Sequence, residues 1–413
     1  MAIKNWRKSQ LKLLCTRIGD GLHGTPTYDD TSDVLFINGN NLKNGSILIS
    51  GETKKVASID YEKNHIELND NTLLLSINGT LGEMAFYNGE KVMLGKSAAY
   101  LNFKTEINRF YYYYFQLREV QRYFHNVATG STIKNLGLKS IQDFEVPYPD
   151  DNDWKPIERI LSDIDKKIDL NNKINADLEA MAKLIYDYWF VQYDFPDSNG
   201  KPYKSSGGDM VFSAELSCDI PDGWAVEKLG KVIKTSLGGT PSTKIDEYWD
   251  EADIPWLNSG EVANFPIVTS EMKVTQAGID NSAAEFMPKG SVIISIVRHL
   301  RVSILAIDAA FNQSVVGLYE TETLKNGFLY PYLSRELPRL MSLRTGAQQP
   351  HINKGVVDDS NILIPKESVL VEYYKVIEPI FKKINLVAVE QEKLHELRDW
   401  LLPMLMNGQV TVK

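Results

Sequence analysis

The same series of short motifs runs through this chain twice. Trp6 leads to Gly24-Thr25-Pro26, and Trp224 leads to Gly239-Thr240-Pro241. Asp33–Asn38 (DVLFIN) returns as Asp253–Asn258 (DIPWLN), and Leu73–Ile77 (LLLSI) as Val292–Ile296 (VIISI). Thr129-Gly130 returns as Thr345-Gly346, Val146-Pro147 as Ile364-Pro365, and Lys166-Lys167-Ile168 as Lys382-Lys383-Ile384. Matched positions lie 215 to 220 residues apart throughout. One offset held in one order is the mark of a tandem duplication, here of a globular part followed by a helix. A protein built twice suits a target with two similar parts.

With 413 residues the chain can form two or three domains with cores of their own. Its 43% hydrophobic and 24% charged residues are ordinary for a globular protein and argue against disorder. No apolar run reaches the roughly eighteen residues of a membrane span. Met1–Asp20 lacks the uninterrupted apolar core of a signal peptide. Cys15 and Cys218 are too few for a disulfide framework, which fits a reducing, cytoplasmic setting. The six histidines and two cysteines show no metal-binding spacing, so no metal site is expected. A net charge of −9 argues against a nucleic-acid partner until its distribution is considered. Residues 1–150 carry 17 basic and 16 acidic side chains, whereas 151–220 carry 8 and 14. The acidity is therefore concentrated in one helix and the stretch after it, leaving room for a basic face on the first globular part. Residues 221–365, with 13 basic and 17 acidic, need their cations gathered on one side or help from a partner.

Residues 1–150 alternate short Val-, Ile-, Leu- and Phe-rich runs with Asn-Gly pairs at Asn38, Asn44, Asn78 and Asn88. Asn-Gly takes positive φ at little cost, so the pattern predicts short strands joined by tight turns. Ile107–Val127 has neither Gly nor Pro and reads as one helix. From Lys155, with Pro156 in its first turn, apolar residues recur at Ile157, Leu161, Ile164 and Ile168. After Asn171-Asn172 the phase restarts at Ile174, Leu178, Met181, Ile185 and Tyr188. This heptad-like spacing predicts one long helix from Lys155 to about Val191, within a helical region 151–195, that packs on another helix; about 35 residues make a rod of roughly 50 Å. Residues 196–219, rich in Gly, Ser, Pro and Asp, read as a linker. A second globular part spans 220–365 and a second helical region 366–413. In the latter the stripe is Ile377, Phe381, Ile384 and Ala388, then Leu394, Leu397 and Leu401, and Asn407-Gly408 ends it. Pro379 either begins that helix or kinks it. The expected fold is α+β, with two similar globular domains each followed by a long helix. The helices would pack as an antiparallel coiled-coil-like pair with pseudo-two-fold symmetry.

The ordered motifs resemble those of the specificity subunits of Type I restriction–modification systems. The residues that carry the likeness are Trp6 with Gly24-Thr25-Pro26, Thr129–Leu136 (TGSTIKNL), Val146–Pro149 (VPYP) and Lys166–Leu170 (KKIDL). In the second half they are Ile220–Trp224 (IPDGW), Gly239–Ser242 (GTPS), Ile254–Leu257 (IPWL), Thr345-Gly346, Ile362–Pro365 (ILIP) and Leu397–Gln409. The resemblance implies two target-recognition domains, each reading one half of a split double-stranded DNA sequence. It also implies helices that set the unread gap and dock two methyltransferase subunits. Those partners would hold S-adenosylmethionine and methylate adenine N6, and restriction subunits using Mg and ATP would join the full complex. This chain would hold no cofactor and perform no catalysis.

The residues themselves agree with a reader that does not methylate. An adenine methyltransferase needs an Asn/Asp-Pro-Pro-aromatic loop around the extruded base, and the sequence has none. Gly89–Ser97 (GEKVMLGKS) has one residue too many for a phosphate-binding loop and places Glu90 where a carboxylate would repel phosphate. It reads instead as a strand after a turn, with Lys96 and Ser97 as candidate DNA contacts. The rival reading is a metal-dependent nuclease. Asp33 with Glu52-Thr53-Lys54, and Asp253 with Glu271-Met272-Lys273, echo the Asp…Glu-x-Lys arrangement in which carboxylates bind Mg²⁺ and lysine activates water. A non-catalytic protein–protein scaffold is a third reading. Arg298-His299-Leu300-Arg301 matches Gly79-Thr80-Leu81-Gly82, so Arg298 or Arg301 would pair with guanine where the first half reads through Asn78 and Thr80. The remaining candidate contacts are Gly24, Thr25, Pro26, Thr129, Ser131, Thr132, Lys134 and Asn135 in the first half. In the second they are Gly239, Thr240, Pro241, Ser242, His299, Gln313, Ser314, Gln348, Gln349, His351 and Asn353. The aromatic run Tyr111–Phe115 reads as helix packing rather than a base-stacking platform.

Overall fold

A computed structural model describes residues 6–131, 134–346, 348–410 and 412. The chain divides into two compact units, Met1–Lys166 with His395–Lys413, and Lys167–Leu394. In the first unit an antiparallel sheet runs in the order Cys15–Asp20, Ala98–Phe103, Thr72–Ser76, Met84–Phe86. Every residue of Thr72–Ser76 is buried, because both faces of the sheet are covered. Side chains alternate across a strand. Leu73 and Leu75 accordingly enter the core formed with Phe110, Phe115 and Phe124, while Leu74 joins Ile37, Leu42, Val92 and Leu94 on the opposite face. Leu35–Ile37 pairs in parallel with Val92–Leu94, and Arg7–Gln10 pairs antiparallel with Glu145–Tyr148 to bring the two ends of the domain together.

The second unit repeats this plan. Its sheet order is Thr235–Leu237, Val315–Leu318, Val292–Ser295, Val302–Ile304, again antiparallel. Ile254–Leu257 pairs in parallel with Ala310–Phe311, and Ala225–Lys228 pairs antiparallel with Asn361–Ile364. The α+β class and the duplicated topology agree with the sequence.

Several details differ from the sequence reading. Asn44-Gly45 does form the expected two-residue turn, with φ of 49° and 78°, between Leu42–Lys43 and Ser46–Ile47. Asn38-Gly39 instead opens the short 3-10 helix Gly39–Asn41. Ile107–Val127 is two helices, Asn108–Phe115 and Arg118–Val127, because Leu117 turns extended and Gln121 Nε2 caps the Phe115 carbonyl at 2.7 Å. The stretch read as a linker contains a hairpin of Met210–Ser213 with Cys218–Pro221, and Phe195 stacks on Tyr203 and Trp224.

The two long helices are Asp151–Phe190 and Glu367–Met406, 40 residues each, or roughly 60 Å at 1.5 Å per residue. The first begins four residues before Lys155, with the Trp154 indole N–H donating to Asp151, so Pro156 falls in the second turn rather than the first. The second begins at Glu367 and runs through Pro379 without ending there. In the second unit Asn171 meets Glu390 while Trp189 packs on Tyr373, so the helices run antiparallel. In the first unit Trp154, Ile157 and Leu161 share a core with Leu402, Leu405 and Met406. The buried stripe of the first helix does not restart after Asn172. It continues through Ile168, Asn171, Asn175, partly buried Leu178, Ala182 and Tyr186, while Met181, Leu184 and Tyr188 are exposed. The stripe of the second helix holds through Ile377, Phe381, Ile384 and Ala388 and then passes to Leu402 and Leu405, leaving Leu397 exposed.

Candidate nucleic-acid interface

In each unit four segments converge at one end of the four-stranded sheet, and backbone hydrogen bonds join them in the same way. In the first unit Ile77 donates its N–H to Ser97 O at 3.0 Å, Leu136 donates to Ile77 O at 2.9 Å, and Leu22 donates to Leu94 O at 2.8 Å. In the second unit Ile296 donates to Ser314 O at 2.9 Å, Ile352 to Ile296 O at 3.0 Å, and Gly239 to Phe311 O at 2.9 Å. Asn135 is bridged to both Asn78 and Thr129, and His351 to both Val297 and Thr345. The Gly-Thr-Pro segment, the turn after the buried central strand, the residues before the next strand and the Thr-Gly loop thus form one frame, built twice.

Within this frame the candidate residues fall into two groups. The first has its polar atoms or its bulk engaged inside the protein. Ser97 Oγ donates to Asn38 Oδ1 and accepts from Gly39 N–H, both at 2.9 Å. Thr80 Oγ1 donates to Gly39 O at 2.8 Å. Asn353 Oδ1 accepts from Val356 N–H at 3.0 Å and caps the helix Lys354–Asp358. Pro26 and Pro241 are buried, and a Cβ on Gly239 would lie 2.3 Å from the Ala283 backbone. Lys134 Nζ donates to His125 O at 3.0 Å, Thr240 Oγ1 donates to Gln313 Oε1 at 2.6 Å, and His351 Nδ1 lies 3.0 Å from Gln349 O.

The second group is exposed at the rim: Gly24, Thr25, Lys96, Thr129 and Ser131 in the first unit, and Ser242, Arg298, His299, Arg301, Gln348 and Gln349 in the second. Asn78 and Ser314 are half-buried in the frame. Thr132 lies outside the described residues. Gly79 and Arg298 share a place in the repeat, and both have positive φ, 79° and 60°. Arg298 thus holds a backbone conformation that glycine takes without strain.

One pair of glycines and one arginine in this frame escape a sequence reading based on polar side chains. A Cβ on Gly21 would lie 2.0 Å from Leu94 O, and one on Gly238 would lie 2.2 Å from Phe311 O. Their spacing falls within the repeat offset, and that was the signal available. Arg344 is the other omission; its partners are a helix end and the Arg298 carbonyl.

The nuclease constellation does not assemble. Lys91 donates to both oxygens of Asp33 at 2.9 and 3.0 Å and holds that carboxyl below the usual carboxylate range. Lys54 lies over the Tyr28 ring at 4.5 Å, and Glu271 gives its backbone N–H to Glu261. Gly89–Ser97 spans a turn and the Val92–Leu94 strand, not a phosphate loop. Tyr111, Tyr112, Tyr113 and Phe115 are buried against the sheet. Burial pushes the Cys15 thiol up to about 12, which leaves it unreactive. Among the described residues no helix is long and apolar enough to cross a membrane.

A duplicated α+β unit with a repeated loop frame and a long helix after each copy defines a two-part recognition protein rather than an enzyme with one cleft. The family of the Type I restriction modification DNA specificity domain matches the chain twice, over residues 3–180 and 221–396. The chain belongs to that family and is a specificity subunit of a Type I restriction–modification system. It is 25% identical to the MjaIX specificity subunit of Methanocaldococcus jannaschii, over 74% of this chain and 70% of that one. It is 23% identical to the HindI specificity subunit of Haemophilus influenzae, over 71% and 75% of the two chains. Its fold is similar to the crystal structure of the S subunit from M. genitalium, with a TM-score of 0.58, 15% identity and coverage of 97% and 96%.

Proposed function

We propose that this subunit reads a bipartite double-stranded DNA target, one half through each recognition domain (1–150 and 220–365), and docks two methyltransferase subunits along its helical regions (151–195 and 366–413). The observation that carries the reading is the loop frame formed identically in both units. A target of two separated half-sites calls for two such frames. The exposed group supplies the contacts: Lys96, Ser131, Arg298, His299, Arg301, Gln348 and Gln349 reach the duplex. Ser97, Thr80, Asn353 and the buried prolines hold the loops that present them. Base edges in the major groove are told apart by donors and acceptors, and an arginine paired with guanine discriminates by about 1–3 kcal/mol. The long helices leave Leu170, Met181, Leu184 and Leu386 exposed in the second unit and Trp400 in the first, apolar side chains suited to contact with partner subunits. Those partners bring S-adenosylmethionine and methylate adenine N6; restriction subunits complete the nuclease assembly.

The test is to reconstitute the chain with its methyltransferase subunits, methylate random-sequence DNA and map the modified adenines. Two short specified segments separated by a constant unspecified gap are expected. One continuous target, or methylation without sequence preference, overturns the reading.

A further inference from the structure

We infer that Arg344 is a positioning residue for DNA readout, fixing the turn that carries Arg298 in the second recognition domain; this rests on the DNA-reading function proposed above. Arg298 lies at the tip of the turn between Val292–Ser295 and Val302–Ile304. Its backbone is held on both sides. Its N–H donates to Pro350 O at 2.8 Å, and its carbonyl accepts Arg344 Nη1 at 2.8 Å. Arg344 also donates through Nε to Met341 O at 3.0 Å, in the last turn of the helix Asn326–Ser342. The guanidinium is a planar fork with donors in fixed directions. It ties the turn to the end of a helix whose Phe328, Leu329 and Leu333 lie deep in the core.

That tie answers a specific need. A non-glycine residue at φ of 60° is strained unless its surroundings hold it there. The first domain has no such need, because Gly79 occupies the matching position and Ala128 matches Arg344. Arg298 itself spends no side-chain donor inside the protein: its guanidinium has no hydrogen-bond or ion-pair partner among the described residues, and it is exposed. The result is a free guanidinium on a backbone fixed at both of its peptide groups. A base contact requires this combination, since an arginine on a mobile turn would find phosphates as readily as a base edge.

The experiment measures binding of the complete complex with methyltransferase subunits to its mapped target and to single-base variants in both half-sites, at several salt concentrations. The wild type is compared with Arg344→Ala, Arg344→Lys, Arg298→Gly and Arg298→Gly/Arg344→Ala. Arg298→Gly removes the side chain and leaves a residue that takes the turn unaided, so it keeps the test valid if Arg344→Ala folds poorly. Both arginine replacements at 344 are expected to lower discrimination by roughly tenfold at a position in one half-site, with the other half-site and the salt slope unchanged. In the Arg298→Gly background, loss of Arg344 should cost no further discrimination. Additive losses, a uniform weakening over all sequences with a shallower salt slope, or unchanged discrimination overturns the inference. A wild-type complex without sequence preference would instead remove the DNA-reading function itself.

Discussion

Asn171 donates its side-chain amide to Glu390 at 2.9 Å from a position wholly buried between the long helices of the second unit. One helical turn on, Asn175 is buried as well, and neither side-chain carbonyl has a partner among the described residues. A buried acceptor left unpaired costs about 1–3 kcal/mol. Asn175→Leu removes that cost without cutting the bond to Glu390, and should stabilise the second unit by about 1 kcal/mol in urea denaturation. Asn171→Leu should gain less, because it also takes the donor away from Glu390. Buried asparagines in paired helices fix register at the expense of stability. A gain in stability together with a second helix alignment, detected by cross-linking, is the expected signature of both variants.

Glu390 gives the helix pair a dependence on pH. The hydrogen bonds from Asn171 and Lys167, with the Lys167 charge, hold its carboxyl below the usual range of 4.5. A carboxyl with a lowered value in the folded state contributes stability above its unfolded value and loses it as pH falls through the folded one. The difference in melting temperature between wild type and Glu390→Gln should therefore be constant near neutrality. It should begin to shrink once the pH drops below about 4.5. A difference that grows on acidification would contradict the pairing.

The register of that interface also shows where sequence ceased to be a guide. The duplication, the buried strand runs and the two long helices were legible because repetition and apolar periodicity are local properties. The stripe beyond Ile168 was misread for the same reason. Periodicity assigned the buried face to Ile174, Leu178, Met181, Ile185 and Tyr188; Leu178 and Ile185 do pack on the core, but Met181 and Tyr188 are exposed, and three-four spacing carries the interface through Asn171 and Asn175. The candidate site divided in a similar way. Residue type picked out Ser97, Asn353 and Arg298 alike, yet the first two use their side chains within the fold and only Arg298 keeps its own free. Which of these applies depends on neighbours brought together by folding, such as Asn38 for Ser97. Arg344 gave no local signal because the carbonyl it serves lies 46 residues away.

Close backbone approach makes Gly21 and Gly238 matched weak points. A methyl group at either would press on a backbone carbonyl, which cannot swing aside as a side chain can. Overpacking of this kind costs about 1–3 kcal/mol or more. Gly21→Ala should destabilise the first unit and relax one half-site. Gly238→Ala should do the same to the second unit and the other half-site. Denaturation monitored by hydrogen exchange would assign each loss to its unit, and equal loss in both units would show that the frames are not independent.

The first unit depends on the far end of the chain. Leu402, Leu405 and Met406 are buried in its core beside Trp154, Ile157 and Leu161. Asp165 fastens the same helix end, accepting Arg398 Nη1 at 3.1 Å and the Tyr113 hydroxyl at 2.7 Å. Burying each large apolar side chain contributes about 1.5–3 kcal/mol. Removing residues 395–413 should therefore cost the first unit several kcal/mol, while the core of the second, built from 167–394, is spared. Asp165→Asn tests the fastening alone. It takes one of the two carboxylates from the half-buried Arg398 guanidinium and leaves Asp399, 3.1 Å away, as the other, and a charge-assisted hydrogen bond is worth about 1.5–3 kcal/mol. Hydrogen exchange should then rise in Asn108–Phe115 and in the last turns of the second long helix, with the sheet of the second unit unchanged. Uniform loss of protection across both units would mean that the C-terminal segment supports the whole chain rather than the first unit.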